Sequence, residues 1–212
     1  MTSDSECLKA KELHELAEGW LRLNYPTSHI VHEMSVGSWG TALIDVAAIC
    51  DDQIIGVEIK GVGDSPSRLK LQGNMYSRCC RRVFLLSCPS ISDRIQKHRP
   101  PEWLPLLYEN INQEILPRFK GRGEGIGLAP AALADLIWSR ELGLFLRRLY
   151  DQNNETGLAK IVGSKSNFCE AVVERYTLPQ IEKAVCETLR HRTWLGGKTV
   201  SFPDSALEVA SV

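Results

Sequence analysis

A short polar loop between two apolar runs constrains this chain more than any other feature. Asp51 and Asp52 separate the run Ala42–Cys50 from the run Gln53–Lys60. Two polar residues between apolar runs of this length are typical of a tight β-hairpin turn. We therefore expect two adjacent antiparallel strands at the centre of the fold.

Acidic side chains on the two strands of this hairpin are predicted to face each other. If the turn consists of Asp51 and Asp52 alone, Asp45 lies opposite Glu58, with Cβ atoms about 4.5–5.5 Å apart. Because side chains alternate between the faces of a strand, Lys60 shares the face of Glu58. Two facing carboxylates repel each other unless a cation such as Mg²⁺ offsets their charge. Together with a lysine that can hold a water, this set is typical of metal-assisted phosphodiester hydrolysis.

The alternative interpretation is an ordinary charged surface. In that case Asp45 and Glu58 face solvent, and Lys60 pairs with one of them. An aspartate within the apolar segment LIDVAAI needs a specific reason to be there, because burying an unpaired carboxylate is costly. We therefore favour a functional site over a charged surface.

A helix and a further strand are predicted after the hairpin. Asp64 or Ser65, followed by Pro66, predicts the start of a helix that runs to about Cys80. The apolar run Val83–Ser87 predicts a buried strand. A strand–helix–strand crossover makes its two strands parallel. The expected fold class is therefore α/β (α+β), with a mixed sheet flanked by helices.

Ordered motifs in the first half of the chain resemble the PD-(D/E)XK nuclease superfamily. The resemblance rests on Ile44-Asp45, a spacer and Glu58-Ile59-Lys60, followed by Gln72 and Tyr76 in the Q-x-x-x-Y spacing of RecB-like members. A similarity to the MmcB-like and phage-associated branch rests on Asp64 and Arg68, together with that glutamine and tyrosine and the strand that follows them. The resemblance covers the first half of the chain well and the remainder weakly.

This resemblance implies a restriction-endonuclease-like core that hydrolyses DNA with Mg²⁺ or Mn²⁺. The metal ligands would be Asp45, Glu58 and the backbone carbonyl of Ile59. Lys60 would position or deprotonate the attacking water, Gln72 would orient this arrangement, and Tyr76 would support it. The resemblance further implies a role in DNA repair, recombination or the processing of phage and mobile-element DNA.

Other acidic residues are candidates for the site by analogy with the superfamily. An opening helix often brings a glutamate to the metal, so Glu15 or Glu12 is a candidate ligand, and Glu33 is another. For each, a solvated surface position is an equally good interpretation. Two positions depart from the pattern, since Leu43 stands where relatives often have arginine and Gly61 where they often have serine.

Basic residues along and after the predicted helix are candidates for contacts to DNA. They are Arg68, Arg78, Arg81 and Arg82. Such residues can grip a phosphate backbone. The last three also suit the negative end of a helix dipole, which is the alternative explanation.

The pattern of apolar residues divides the chain into four regions. We expect a nuclease-like core over 1–109, a glycine-containing loop over 110–130, a helical region over 131–195 and a tail over 196–212. A brief strand is expected at Ile126–Ala129. Besides an opening helix over Ser5–Leu23 and a strand over His29–Met34, helices are expected over Ala131–Tyr150, Phe168–Tyr176 and Leu178–Arg192.

Composition limits the function classes only loosely. The chain has 212 residues and a net charge of -1, so any surface that binds nucleic acid must be local. Without a signal core or a membrane-length apolar run, we expect a soluble, cytoplasmic protein with reduced thiols. The sequence leaves open the form of the DNA substrate, RNA as a substrate, and homodimerisation. It also leaves open a nuclease-like fold that binds DNA or protein without cleavage, and an adaptor that acts through its C-terminal helices.

Overall fold

The main element of this computed structural model is a six-stranded sheet with its strands in chain order. The residues described are 8–37, 42–109, 114–117, 127–153, 164–192, 194–195 and 198–199. The strands are β1 (His29–Val36), β2 (Ala42–Ile49), β3 (Ile54–Lys60), β4 (Arg82–Ser87), β5 (Leu104–Glu109) and β6 (Glu114–Pro117). Pairing is antiparallel from β1 to β3, parallel from β3 to β5, and antiparallel between β5 and β6. The predicted α/β fold with a mixed sheet is confirmed.

The central hairpin forms in the predicted register. Ile49 pairs with Ile54, and the N–H of Cys50 donates to the carbonyl oxygen of Gln53 at 2.9 Å. The turn therefore consists of the two aspartates at positions 51 and 52. This register places position 45 across from position 58, as the spacing of the apolar runs predicts.

Helices cover both faces of the sheet. Helix α1 (Ala10–Asn24) packs on one face against Val57 and Ile59 of β3. Helix α2 (Leu69–Cys79) and the C-terminal helices pack on the other face. Because β3 alternates, Glu58 and Lys60 lie on the α2 face. The remaining helices are α3 (Ser92–Gln96), α4 (Pro130–Ala134), α5 (Leu142–Asn153), α6 (Lys165–Arg175) and α7 (Leu178–Arg190).

Two helix predictions are wrong in extent. Helix α1 begins at Ala10, after Leu8 and Lys9, and residues 1–7 lie outside the described part of the chain. The single helix expected over 131–150 is divided into α4 and α5 with a short 3-10 turn between them. The division frees the carbonyl oxygen of Leu136, which accepts a hydrogen bond at 2.9 Å from the guanidinium of Arg192. A partner so distant in sequence is not visible in the local pattern.

Short strands occur where the sequence predicts a loop and a tail. Strand β6 falls within the region expected to be a loop, whereas residues 127–129 form no strand, and Ile126 lies outside the described residues. Strands β7 (Trp194–Leu195) and β8 (Lys198–Thr199) pair with each other, and β8 falls within the predicted tail. No helix in the described ranges is long and apolar enough to cross a membrane.

The cysteines are mostly core residues. The free thiols are Cys50, Cys79, Cys80, Cys169 and Cys186, and all except the first are buried. Burial raises the pKa of Cys79 to about 12, so this thiol is protonated and unreactive. Cys88 is disulfide-bonded, so among the described cysteines the expectation of reduced thiols holds for the five free thiols and is wrong for Cys88.

Candidate active site

The sheet opens between β2 and β3 beyond Val46, where pairing of the two strands stops. The carboxylate of Asp45 lies at this opening, and its Oδ2 accepts the N–H of Ile59 at 2.7 Å. Successive residues of a strand direct their backbone groups to opposite neighbours. The carbonyl of Lys60 points to the β4 side, where it accepts the N–H of Cys88 at 3.1 Å. The carbonyl of Ile59 therefore faces the opening beside Asp45.

A second irregularity lies on the other side of Asp45, between β1 and β2. The ladder skips the pair that Glu33 and Asp45 would form, and Glu33 has a left-handed φ of 51°. This break reverses the alternation of side chains. Val31 and Met34 pack in the same cluster on the α2 face although they are three positions apart, an odd spacing that would place them on opposite faces of a regular strand. Asp45 sits at the corresponding position on β2, so its carboxylate points along the sheet towards β3.

Glu58 is the centre of a buried hydrogen-bond network on the α2 face. Its side chain is 1% exposed. Oε1 accepts hydrogen bonds from Nζ of Lys60 at 2.5 Å and from Nε2 of Gln72 at 2.8 Å. Oε2 lies 3.0 Å from the hydroxyl of Tyr76, which also accepts from Gln72 at 3.2 Å. The spacing of four residues places Gln72 and Tyr76 on one face of α2, so both reach the same carboxylate.

The hydroxyl of Tyr76 bridges the opening between β2 and β3. It contacts two acceptors, the carbonyl oxygen of Leu43 on β2 and the carboxylate of Glu58 on β3, and its one hydrogen serves one of them at a time. Burial, together with the charges of Glu58 and Asp45, raises the pKa of Tyr76, so the hydroxyl stays protonated. The ring stacks on Trp103 with centroids 5.3 Å apart, which fixes its position.

Asp45 titrates well above the ordinary range of a carboxyl group. Burial, together with the negative charges of Glu58 and Asp64, raises its pKa to about 7. The hydrogen bond from Ile59 and the positive charge of Lys60 lower the pKa but offset only part of this effect. A carboxyl group perturbed by burial and by a neighbouring carboxylate is typical of a functional site that lacks positive charge.

The side-chain amide oxygen of Gln72 is a buried atom of this network without a hydrogen-bond partner among the described residues. Gln72 is 9% exposed, and its Oε1 has no hydrogen-bond partner. Buried amide oxygens are normally bonded, either to protein or to water. The oxygen can therefore accept a hydrogen bond from a donor that the described residues do not supply, such as a water at the opening.

The opening offers two carboxylates and a backbone carbonyl as possible ligands for a divalent ion. Within the described ranges, no group of three or more His, Cys, Asp and Glu residues could hold a metal ion. Mg²⁺ is nevertheless commonly held by one or two carboxylates, with waters and phosphate oxygens as its other ligands. The groups that would hold it are Asp45, Glu58 and the carbonyl of Ile59. The unsatisfied negative charge at Asp45 is the observation that favours a cation here.

The glutamates of α1 do not reach this network. Glu15 is exposed and pairs with Lys11 at 3.7 Å. Glu12 caps its own helix, because its Oε2 accepts the N–H of Lys9 at 2.7 Å. Glu33 is exposed on β1, at the strand break beside Asp45.

His14 of α1 is within electrostatic reach of Glu33 and Glu58, and the sequence analysis missed it. Burial and the neighbouring His32 lower its pKa, and the charges of Glu33 and Glu58 act in the opposite direction. Its ring is stacked with that of His32, with centroids 6.1 Å apart. Position 14 lies three residues before buried Ala17, so the helical period of α1 already indicated a partly buried histidine.

The arginines predicted to contact DNA lie in two kinds of surroundings. Arg68, in the 3-10 turn before α2, and Arg78, near the end of α2, are exposed. Arg81 forms an ion pair with Glu182 of α7. Arg82 begins β4, at the end of that strand remote from the opening. The first two are therefore the better placed of the four to meet a ligand.

Comparison with known proteins gives no match. No protein-family model matches the chain, and neither a curated protein nor a solved structure matches it. The function therefore has to be inferred from the fold and from the geometry of the site.

Proposed function

We propose that this protein is a metal-dependent nuclease of the PD-(D/E)XK type that hydrolyses DNA phosphodiester bonds. The observation that supports this most is the opening between β2 and β3. There Asp45 and Glu58, the carbonyl of Ile59 and the amine of Lys60 come together in a largely buried place. DNA repair, recombination, or the processing of phage and mobile-element DNA is the setting that the motif resemblance favours.

The chain's own groups would divide the work of hydrolysis. A divalent ion, when bound by Asp45, Glu58 and Ile59, would offset negative charge and polarise the phosphate. Lys60 donates to Glu58 in the structure. With substrate present, the ammonium group would also hold the attacking water and stabilise the charge that develops on the phosphorus centre.

Gln72 and Tyr76 would act as positioning residues. The unpartnered Oε1 of Gln72 would accept a hydrogen bond from the attacking water, while its Nε2 holds Glu58. Tyr76 would keep Glu58 and the carbonyl of Leu43 at a fixed separation across the opening. The stacking of Tyr76 on Trp103 gives the hydrogen bonds of Tyr76 a rigid support.

The test is cleavage of a panel of linear, circular, single-stranded and branched DNA with Mg²⁺, Mn²⁺ or EDTA. Glu58→Gln preserves shape while removing charge, and Lys60→Ala removes the ammonium group. Lys183→Ala is the matched control, because this exposed lysine lies on α7 and pairs with Glu187 at 3.9 Å. We expect metal-dependent products from the wild type and the control, and a loss of at least about 100-fold in both site variants.

Two other outcomes would redirect the interpretation. Cleavage that persists in Glu58→Gln and Lys60→Ala would show that this site is not the catalytic one. DNA binding without any cleavage, unaffected by both substitutions, would establish the alternative, a nuclease-like fold that only binds DNA.

A further inference from the structure

Three exposed cations in and directly before α2 form no ion pair with any described residue. They are Arg68, Lys70 and Arg78. Many other surface cations are paired, as Arg81 is with Glu182 and Lys183 with Glu187. From Ser65 to Ser92 the sequence contains five basic residues and no acidic one. This part of the chain therefore presents a positive charge that nothing nearby in the sequence neutralises.

The exposed residues of α2 form one stripe beside the candidate active site. Ser67, Lys70, Leu71, Asn74 and Arg78 recur at helical spacing and are all exposed. The part of the stripe that lies on α2, from Lys70 to Arg78, passes Gln72, the residue that contacts Glu58, and is about 12 Å long at 1.5 Å per residue. An anionic polymer that passes over the opening could therefore continue along this stripe.

Exposed apolar side chains also lie close in sequence to the residues of the site. Among the described residues, six large apolar side chains are exposed, and three of them flank the site in sequence. Leu43 (46% exposed) precedes Asp45 by two residues, Val62 (48%) follows Lys60 by two, and Leu71 (55%) adjoins Gln72. Leu43 points to the α1 face of the sheet, because its neighbours Ala42 and Ile44 pack on the α2 face. Val62 and Leu71 are therefore the exposed apolar residues nearest in sequence to the unpaired cations, and apolar side chains beside such cations favour an interaction site.

We propose that this surface binds single-stranded DNA and that the preferred substrate of the site has unpaired bases. Arg68, Lys70 and Arg78 would contact phosphates, and the exposed side chains of Val62 and Leu71 would contact bases or sugars. Duplex DNA presents phosphates but hides the faces of its bases, whereas a single strand offers both to a protein. The combination of free cations with exposed leucine and valine therefore fits a single strand better than a duplex. This proposal rests on the proposed nuclease function.

The role of the three cations is tested by measuring DNA binding in EDTA, which separates binding from metal-dependent cleavage. Fluorescence anisotropy of a labelled 20-mer of dT, and of a duplex of the same length, is followed against salt for the wild type and for Arg68→Ala/Lys70→Ala/Arg78→Ala. Each phosphate contact to a single strand contributes about 0.7 to the slope of log affinity against log salt, so we expect the slope to fall by about 2. Lys11→Ala/Arg175→Ala/Lys183→Ala, which removes equal charge from other helices, should leave the slope unchanged.

Loss of the exposed apolar side chains should change DNA binding in a different way from loss of the cations. Val62→Ser/Leu71→Ser should lower affinity for the dT 20-mer about tenfold while leaving duplex affinity and the salt slope unchanged. Leu23→Ser/Val173→Ser is the matched control, because both residues are exposed and lie on α1 and α6. Thermal melts confirm that all four variants are folded.

The outcomes separate this inference from the proposed function. Equal affinity for duplex and single strand, or a charge variant that behaves like its control, overturns the inference even if the protein cleaves DNA. If the protein binds single strands selectively, and both the charge variant and the apolar variant weaken this binding, but no metal condition gives cleavage, the single-strand-binding part of the inference is supported and the proposed nuclease activity is wrong.

Discussion

At the scale of single residues, the site is a local excess of negative charge in a largely buried place. Asp45 and Glu58 come from adjacent strands, and Lys60 is the one cation whose contact with them is direct. Groups arranged for chemistry in this way reduce the stability of the fold that holds them. The raised pKa of Asp45 allows this cost to be measured.

Asp45→Asn should stabilise the metal-free protein at high pH. The folded protein binds the proton of Asp45 with a pKa of about 7, against 3.8 in the unfolded chain. Unfolding therefore releases this proton between these values, so wild-type stability falls as the pH rises from about 4 to about 7. In EDTA we expect the variant to gain about 2–4 kcal/mol at pH 8 and almost nothing at pH 4, as measured by urea unfolding.

The control for this prediction is Asp93→Asn, which changes an exposed carboxylate on α3. Its free energy of unfolding should track that of the wild type across the whole pH range. If Asp45→Asn were less stable than the wild type at pH 8, the carboxylate would be stabilising, and the charge excess inferred here would be wrong.

At the scale of secondary structure, the site depends on a paired break in β1 and β2. Regular alternation would turn Asp45 to one face of the sheet, whereas the break at Glu33 leaves it pointing at the N–H of Ile59. A non-glycine residue in the left-handed region carries backbone strain, which persists where the surrounding structure holds it. The break therefore belongs to the geometry of the site.

The order of stability of glycine and valine substitutions at Glu33 should be the reverse of the order at a regular strand position. Because φ is 51° there, we expect Glu33→Gly to be as stable as the wild type or up to about 1 kcal/mol more stable. Glu33→Val should lose about 1–2 kcal/mol, because a β-branched residue resists this conformation. Thermal melting of each variant measures the difference.

Ser35, two residues further along β1, is the matched position, because it pairs regularly with Leu43. There valine should be the more stable substitution and glycine the less stable one. The same order at both positions would show that Glu33 is not held in a left-handed conformation.

The first half of the fold was predictable because its signals are local. The turn between the two apolar runs set the register of Asp45 and Glu58, and helical spacing brought Gln72 and Tyr76 to the same carboxylate. The break at Glu33 was not predictable, because glutamate gives no signal for a left-handed residue. The division between α4 and α5 depends on Arg192, which lies 51 residues after Glu141, and such distant partners leave no periodic pattern.

At the scale of the whole molecule, the C-terminal helices share one core with the sheet. The cluster on the α2 face joins Ile44 of β2 and Tyr76 of α2 to Phe145 of α5 and Val185 of α7. A buried ion pair between Arg192 and Glu141 closes this helical layer, and both side chains are nearly inaccessible. We therefore expect the described core to unfold as a single cooperative unit.

Removal of one partner of this ion pair should destabilise the entire fold. Glu141→Gln leaves the Arg192 guanidinium buried without its counter-charge, and we expect a loss of about 3–5 kcal/mol. Glu141→Leu/Arg192→Met, which removes both charges, should be the more stable of the two variants. Urea unfolding followed by far-UV circular dichroism and by tryptophan fluorescence measures both effects.

The two probes also test cooperativity. Coincident transitions in Glu141→Gln would place the helices and the sheet in one unit. A separate early transition would show that the C-terminal helices unfold on their own and that the shared core does not couple them to the sheet.

The network around Glu58 has a consequence for how the chain folds. Its hydrogen bonds join residues separated by no more than 33 positions, from Leu43 to Tyr76, and Lys60 lies two residues from the carboxylate it neutralises. Contacts of such short range form with little loss of loop entropy. The carboxylates and their counter-charge can therefore assemble during synthesis, before the ribosome has released the C-terminal helices.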